Sequence, residues 1–268
     1  MMRTAPPLAT ANPRRYDAIR PWIQPRIREG GTVIQPIATS VRGIGFDLDW
    51  TLSYYPFSTA DVLHNALARC DLPFDLLGDL QLAAEGYDRR WVELERIILD
   101  THALRRRIVE TLLEEAGASD LSTADPIASA YGEIRQETGV LAFPGVDRLL
   151  ADLKGRYRLG LITNGPSQMQ WEKIRTLGFD DLFDVILVAG DLGIYKPDGR
   201  IFERLSGKLG VAAHEVLFAG DTYDTDIVGA ARAGMYTAWI GSGDPSRAGD
   251  VEPTLCNPHV AGLREILL

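Results

Sequence analysis

The fold is decided by twelve residues, which read Val41-Arg42-Gly43-Ile44-Gly45-Phe46-Asp47-Leu48-Asp49-Trp50-Thr51-Leu52. The stretch begins as a short apolar run with small residues, which is the pattern of a buried strand. It ends in Asp47 and Asp49, and alternation along a strand would point both carboxylates to one side. Because unpaired charges destabilise a buried strand, we expect both aspartates at its carboxyl end, where open α/β sheets bind their ligands. A strand that ends in a solvated, aspartate-rich turn is the alternative at this point.

Polar side chains that could take part in catalysis or ligand binding recur at or between the ends of later strand-like runs. A second apolar run ends in Thr163 and Asn164, and a third ends in Asp221, with Asp226 following in the same segment. Lys196 lies between these two runs and begins the sequence Lys-Pro-Asp. Taken singly, each has an ordinary alternative: a strand-to-helix turn, a solvated lysine, or acids at the start of a helix.

In this order, the four elements resemble the motifs of the haloacid dehalogenase-like (HAD) hydrolase superfamily. The resemblance covers the D-x-D-x-T element, the threonine of the second motif, the K-P-D element and the G-D-x-x-x-x-D element, from Gly43 to about Ala230. The chain departs from the commonest pattern at Trp50, where glycine is frequent, and at Gly199, where proline often follows K-P-D. Neither position carries the chemistry, although Trp50 would narrow the site.

The resemblance implies a role for each motif residue. Asp47 would attack phosphorus and become an aspartyl phosphate, and Asp49 would act as the general acid and base. Thr163 and the backbone N–H of Asn164 would bind phosphate oxygens, while Lys196 would neutralise Asp47 and the phosphate.

The resemblance also implies a Mg²⁺ site and a substrate entrance. The Asp47 carboxylate, the Asp49 main-chain carbonyl and Asp221 would hold the ion, and Asp226 would act through its waters. Trp50, Tyr54 and Tyr55 are candidate substrate-binding residues because they follow the nucleophile closely in the chain. Packing in the hinge between domains is the alternative for the two tyrosines.

Several functions within the family compete with phosphate ester hydrolysis. The 2-haloacid dehalogenases lack the second aspartate, so Asp49 favours phosphoryl transfer. Phosphonate hydrolases use an additional cap lysine, whereas residues 1–153 contain no lysine. Sugar-phosphate mutases share all four motifs and stay open, and a non-catalytic phosphate-binding module would usually have lost Asp47 or Asp221. We therefore expect a Mg²⁺-dependent phosphatase of a small phosphorylated metabolite.

Composition restricts the partners. The formal net charge of −9 argues against binding to nucleic acid or to an anionic membrane surface. Apolar runs fall short of the roughly 20 residues of a membrane span. The four histidines lack metal-ligand spacing, so zinc has little support. No secretory signal is recognisable, which favours a cytoplasmic protein.

The chain falls into three parts. Residues 1–40 form an arm rich in proline and arginine, which we expect to be poorly ordered or to pack on the surface. Binding to a partner, including a second copy in a homodimer, is the alternative. Residues 56–139 show only helical patterns and predict an all-helical cap. Residues 41–55 and 140–268 form the catalytic core, with later strands predicted near 158–163, 184–189, 215–220 and 235–240. Their alternation with helices predicts an α/β fold with a doubly wound parallel sheet.

Overall fold

A computed structural model describes residues 39–241 and 251–268. The arm expected over residues 1–40 lies outside this range except for its last two residues. The described chain divides into two compact units. One spans Tyr55–Val140, and the other contains residues 39–54 and Leu141–Leu268.

Four helices make up the Tyr55–Val140 unit. They are α1 (Thr59–Arg69), α2 (Leu80–Leu94), α3 (Thr101–Glu115) and α4 (Ala124–Thr138). Side-chain caps start the first three, because Ser58, Asp79 and Asp100 each accept hydrogen bonds from backbone N–H groups of the first turn. The apolar faces predicted from helical spacing enclose a separate core, which includes Leu63, Leu67, Leu104, Ile108, Leu113, Ile127 and Ile134.

The second unit is built on a parallel sheet of six strands in the order β5-β4-β1-β6-β7-β8. The strands are β1 (Gly43–Phe46), β4 (Arg158–Thr163), β5 (Val185–Val188), β6 (Val216–Gly220), β7 (Tyr236–Ile240) and β8 (Leu255–Asn257). The two remaining strands, β2 (Ser53–Tyr54) and β3 (Leu141–Ala142), form a small antiparallel pair.

Helices connect the strands and supply two apolar layers. They are α5 (Val146–Leu153), α6 (Ser167–Thr176), α7 (Ala189–Leu192), α8 (Gly199–Leu209), α9 (Val228–Arg232) and α10 (Leu263–Leu267). Alternate residues of a strand enter different layers: Leu217 and Ala219 join one core cluster, whereas Val216 and Phe218 join the other. Burial of both faces explains why β1 and β6 are apolar throughout.

Glycines on the central strands let α8 approach the sheet closely. Gly45 of β1 lies beside Gly160 of β4 in the parallel register. A Cβ atom on Gly45 would lie 2.6 Å from the Phe218 ring and 2.8 Å from a Leu205 methyl group. The small residues of the opening stretch are therefore required by packing against Leu205 and Phe218.

The predicted α/β fold with a doubly wound parallel sheet is confirmed. Two local features go beyond what the sequence pattern indicates. Helix α2 ends at Leu94, and α3 begins only after the cap Asp100. The segment that leads into α9 begins with a π-helical turn at Tyr223–Ile227. In the described ranges, the helices are too short or too polar to cross a bilayer.

Candidate active site

The sheet topology brings the predicted motif residues to one edge. Asp47 directly follows β1, Thr163 is the last residue of β4, and Asp221 directly follows β6. Since β4, β1 and β6 are neighbours and parallel, their carboxyl ends lie side by side. This edge is where open α/β sheets bind their ligands.

Lys196 connects two of the acids. Its Nζ lies 2.5 Å from Oδ1 of Asp47 and 2.7 Å from Oδ1 of Asp226. The lysine is only 2% exposed, and burial alone would disfavour its charge. The attraction of Asp226 and Asp47 outweighs burial, so the pKa of Lys196 is raised above its usual value. Lys196 is therefore a fixed positive charge beside the predicted nucleophile.

Three carboxylates converge around that charge. Asp47, Asp221 and Asp226 each offer an oxygen, and these oxygens lie within 4.8 Å of one another. Burial raises the pKa of Asp47 to about 7, with Lys196 opposing the shift and Asp226 adding to it. Burial raises the pKa of Asp221 to about 8, and the charges of Asp47 and Asp226 add to the shift. One lysine does not balance three acids, and carboxylate oxygens are the ligands that Mg²⁺ prefers, so the cluster fits this ion.

Both oxygens of Asp226 already have protein partners. Oδ1 faces Lys196, and Oδ2 accepts a hydrogen bond of 3.0 Å from the backbone N–H of Thr222. The π-helical turn places Asp226 against the end of β6, where a Cβ on Gly220 would lie 2.4 Å from the Asp226 side chain. In this structure Asp226 therefore holds Lys196 in place.

The end of β4 contributes Thr163 and Asn164. Thr163 is fully buried, and its hydroxyl donates to the carbonyl oxygen of Asn164 at 3.2 Å. Oδ1 of Asn164 accepts from the backbone N–H of Lys196 at 2.9 Å, and its Nδ2 donates to the Lys196 carbonyl at 3.1 Å. The Asn164 side chain thus fixes the lysine backbone, in addition to the phosphate contact expected of its main chain.

Asp49 lies apart from the three-carboxylate cluster and has partners of its own. Nζ of Lys173 lies 2.9 Å from Oδ1 and 2.8 Å from Oδ2 of Asp49. Nε2 of Gln170 donates to Oδ2 at 3.2 Å. Both partners belong to α6, one turn apart on the same face.

The sequence analysis missed Lys173 and Gln170 as site residues. The sequence shows only that lysine is rare, with four in the chain, and it takes the structure to show that Lys173 is one of the two that are buried. Thr51 was also missed as a contact. Its hydroxyl lies 3.5 Å from Oδ1 of Asp221, which connects the end of the D-x-D-x-T element to the carboxylate cluster.

The three candidate substrate-binding residues occupy different surroundings. Trp50 is 54% exposed and has φ of 65°, a left-handed conformation that explains why glycine is frequent at this position. The Tyr54 ring packs on Phe143, with centroids 4.8 Å apart. In the helical unit, the guanidinium of Arg135 lies 4.6 Å from the centroid of the Tyr55 ring.

Comparison with known proteins identifies a hydrolase family and relatives that are named as phosphatases. A family model described as a haloacid dehalogenase-like hydrolase matches residues 41–234. The chain is 32% identical over 176 residues to a phosphoserine phosphatase from Thermus thermophilus, covering 65% of this chain and 68% of that protein. It is 29% identical over 216 residues to a glyceraldehyde 3-phosphate phosphatase from Methanopyrus kandleri, covering 80% of this chain and 88% of that protein.

A solved structure carries a different activity in its name. The crystal structure of a 2-haloacid dehalogenase from Pseudomonas syringae pv. Tomato DC3000 matches with a TM-score of 0.55 and 31% identity. The match covers 85% of this chain and 98% of that one. The relatives thus include both phosphatases and a dehalogenase, and the choice between these activities depends on the site.

Proposed function

Because the chain belongs to the haloacid dehalogenase-like hydrolase family, we propose that it is a Mg²⁺-dependent phosphatase of a small phosphorylated metabolite. One observation carries the proposal: the Asp47 carboxylate touches a buried lysine within a cluster of three carboxylates at the carboxyl edge of the sheet. A phosphate ester needs a nucleophile, neutralised charge and a proton for its leaving group. The family's relatives named as phosphatases support the same conclusion.

Asp49 is the feature that favours a phosphatase over a dehalogenase. An alkoxide leaves phosphorus poorly, so the leaving oxygen must be protonated as its bond to phosphorus breaks. A halide needs no proton, which is why the dehalogenases of this family lack the second aspartate. The presence of Asp49 two residues after Asp47 therefore supports phosphoryl transfer.

The proposed reaction has two steps on this chain's own residues. In the first, an oxygen of Asp47 attacks phosphorus, the bond to the leaving oxygen breaks, and Asp49 gives that oxygen a proton. In the second, Asp49 takes a proton from water, the water oxygen attacks phosphorus, and the bond to Asp47 breaks to release phosphate.

The surrounding groups bind the phosphate and its charge. Lys196 neutralises Asp47 and a phosphate oxygen, while Thr163 and the backbone N–H of Asn164 bind other phosphate oxygens. Asp47, Asp221 and the main-chain carbonyl of Asp49 would hold Mg²⁺, with Asp226 acting through water. When bound, the ion neutralises negative charge on the phosphate. Trp50, Tyr54 and Tyr55 stay candidates for contacts with the rest of the substrate.

Two variants test this proposal on one alkyl and one aryl phosphate. Asp47→Asn should abolish turnover of both esters, because no nucleophile remains. Asp49→Asn keeps the shape and the main-chain carbonyl, but should lower kcat/KM for the alkyl ester by roughly 10²–10⁴-fold, the usual contribution of general acid–base catalysis. The loss should be smaller for the aryl ester, whose leaving group needs less protonation.

The exposed Asp180 provides the control, since Asp180→Asn makes the same chemical change away from the site. An alkyl ester rate that survives Asp49→Asn would contradict the proposed acid–base role. Phosphate moved within a sugar phosphate, without release of inorganic phosphate, would instead identify a mutase.

A further inference from the structure

The Asp49 carboxylate is held on α6 by contacts that the proposed reaction does not explain. Lys173 approaches both of its oxygens, at 2.9 and 2.8 Å, and Gln170 donates to one of them at 3.2 Å. We propose that Lys173, assisted by Gln170, is a positioning residue that sets the orientation of the acid–base Asp49. This inference rests on the proposed phosphatase function.

The burial of Lys173 indicates a specific role. Lysine is usually exposed, because removing its ammonium group from water costs free energy unless a partner compensates. Lys173 is only 5% exposed and forms its ion pair with Asp49 across 124 positions of sequence. A lysine that served only to solubilise α6 would extend into water instead.

Each of the two buried lysines contacts a different aspartate of the D-x-D element. Lys196 contacts Asp47, which provides the nucleophile, and Lys173 contacts Asp49, which provides the acid and base. Lys196 contacts Asp47 and Asp226, whereas Lys173 contacts Asp49. We therefore expect Lys173 to act on the reaction through Asp49. It is therefore a positioning residue and not a ligand of the phosphate.

Gln170 further restricts the orientation of the Asp49 carboxylate. Its amide reaches Asp49 from a position close to Gly165, where an added Cβ would lie 2.6 Å from Nε2 of Gln170. Gly165 also has φ of +114°, which other residues rarely adopt. The turn after β4 is thus shaped to leave room for Gln170 beside Asp49.

Orientation matters because proton transfer depends strongly on distance. A general acid must lie within about 2.6–3.2 Å of the atom it protonates, and a displacement near 1 Å can lower the rate about 10²-fold. Asp49 lies in the loop after β1, where its side chain could adopt several rotamers. Contacts from Lys173 and Gln170 of α6 restrict that freedom and hold the carboxylate in one orientation.

The experiment compares Lys173→Met and Gln170→Met with the wild type in Mg²⁺, each alone and combined with Asp49→Asn. Lys173→Met should lower kcat for an alkyl phosphate by roughly 10- to 100-fold with little change in KM. The loss should be smaller for an aryl phosphate and should vanish in the Asp49→Asn background, since the two residues act through one proton transfer. Lys173→Arg should recover part of the activity, and Gln170→Met should give a smaller loss with the same dependence on the leaving group.

Gln170→Met removes one contact without altering charge, so it tests the inference even if Lys173→Met fails to fold. Equal losses on both esters that persist in the Asp49→Asn background would overturn the inference and assign Lys173 a structural role. A large rise in KM that also persists there would assign it to substrate binding and overturn the inference too. A wild-type protein that hydrolyses neither ester would overturn the proposed function and this inference together, whereas sensitivity to Asp49→Asn without the coupling would overturn this inference alone.

Discussion

The side chain of Asn164 holds the backbone of Lys196 from both sides. Its Oδ1 accepts from the lysine N–H at 2.9 Å, and its Nδ2 donates to the lysine carbonyl at 3.1 Å. The pair joins the end of β4 to the segment that precedes α8. Because Nζ of Lys196 lies between Asp47 and Asp226, the position of its backbone decides where the positive charge falls.

Asn164→Ala should therefore lower activity by displacing Lys196. Removing the partner of a buried hydrogen-bonding group costs about 1–3 kcal/mol, which corresponds to roughly a 5-fold to 160-fold loss of kcat/KM if the loss falls on the transition state. Unlike the loss from Asp49→Asn, this loss should be similar for alkyl and aryl phosphates, because Lys196 does not protonate the leaving group. Asn65→Ala removes a half-buried asparagine of α1, in the helical unit, and should leave kcat/KM unchanged. An Asn164→Ala rate equal to that of the wild type would contradict the positioning of Lys196 by Asn164.

Lys196→Met should reduce both activity and stability. The substitution leaves Asp47 and Asp226 buried without their positive partner, and breaking a buried ion pair in this way typically costs about 3–5 kcal/mol. Thermal unfolding should show a clear fall in Tm, and turnover of both esters should be lost. Lys208→Met, at an exposed position of α8, is the matched control and should change neither quantity. A normal Tm for Lys196→Met would show that the two carboxylates tolerate burial without it.

Turnover should depend strictly on a divalent cation. Asp47, Asp221 and Asp226 concentrate negative charge that repels a phosphate ester unless a cation intervenes. EDTA should abolish hydrolysis of both esters, and added Mg²⁺ should restore it. Full activity in the chelator would exclude a role for the carboxylate cluster in holding a metal.

The stability gained from Mg²⁺ should grow with pH. Burial raises the pKa of Asp221 to about 8 from an ordinary value of 3.8, so between these pH values the folded protein binds more protons than the unfolded chain. The stability of the metal-free protein therefore falls as pH rises through this window, and it levels off above pH 8. Mg²⁺ bound to the ionised carboxylates would offset this loss. The difference in Tm between Mg²⁺-saturated and EDTA-treated protein should be larger at pH 8 than at pH 6, and Asp221→Asn should reduce it at both. An equal difference at the two pH values in the wild type would argue against a buried carboxylate in the metal site.

The sequence was sufficient to predict the main elements because their signals are local or follow from topology. Apolar runs that end in Asp47, Thr163 and Asp221 predict parallel strands, and a parallel sheet necessarily gathers their carboxyl ends. The contact of Lys173 with Asp49 was not predictable in this way. It joins a helix face to a loop across 124 positions, and a lysine on a helix is normally exposed.

Two further features escaped prediction for other physical reasons. The pairing of Ser53–Tyr54 with Leu141–Ala142 involves strands of two residues, too short for alternation to be visible. The π-helical turn at Tyr223–Ile227 follows from contacts of Asp226 with Thr222 and Lys196 that helical periodicity does not encode.

Substitution of Gly45 should test how closely α8 packs on the sheet. A Cβ at Gly45 would lie 2.6 Å from the Phe218 ring and 2.8 Å from Leu205, so Gly45→Ala must displace side chains in a fully packed core. Overpacking of this kind typically costs about 1–3 kcal/mol. Gly207 is the matched control because it lies inside α8 and an added Cβ would enter open space there. Gly207→Ala should raise stability by about 0.4–1 kcal/mol through helix propensity and a less flexible unfolded chain. The measurement is the midpoint of urea unfolding followed by circular dichroism. The two alanine variants should shift the midpoint in opposite directions. A Gly45→Ala midpoint that does not fall would mean that α8 does not pack on β1 as closely as the structure describes.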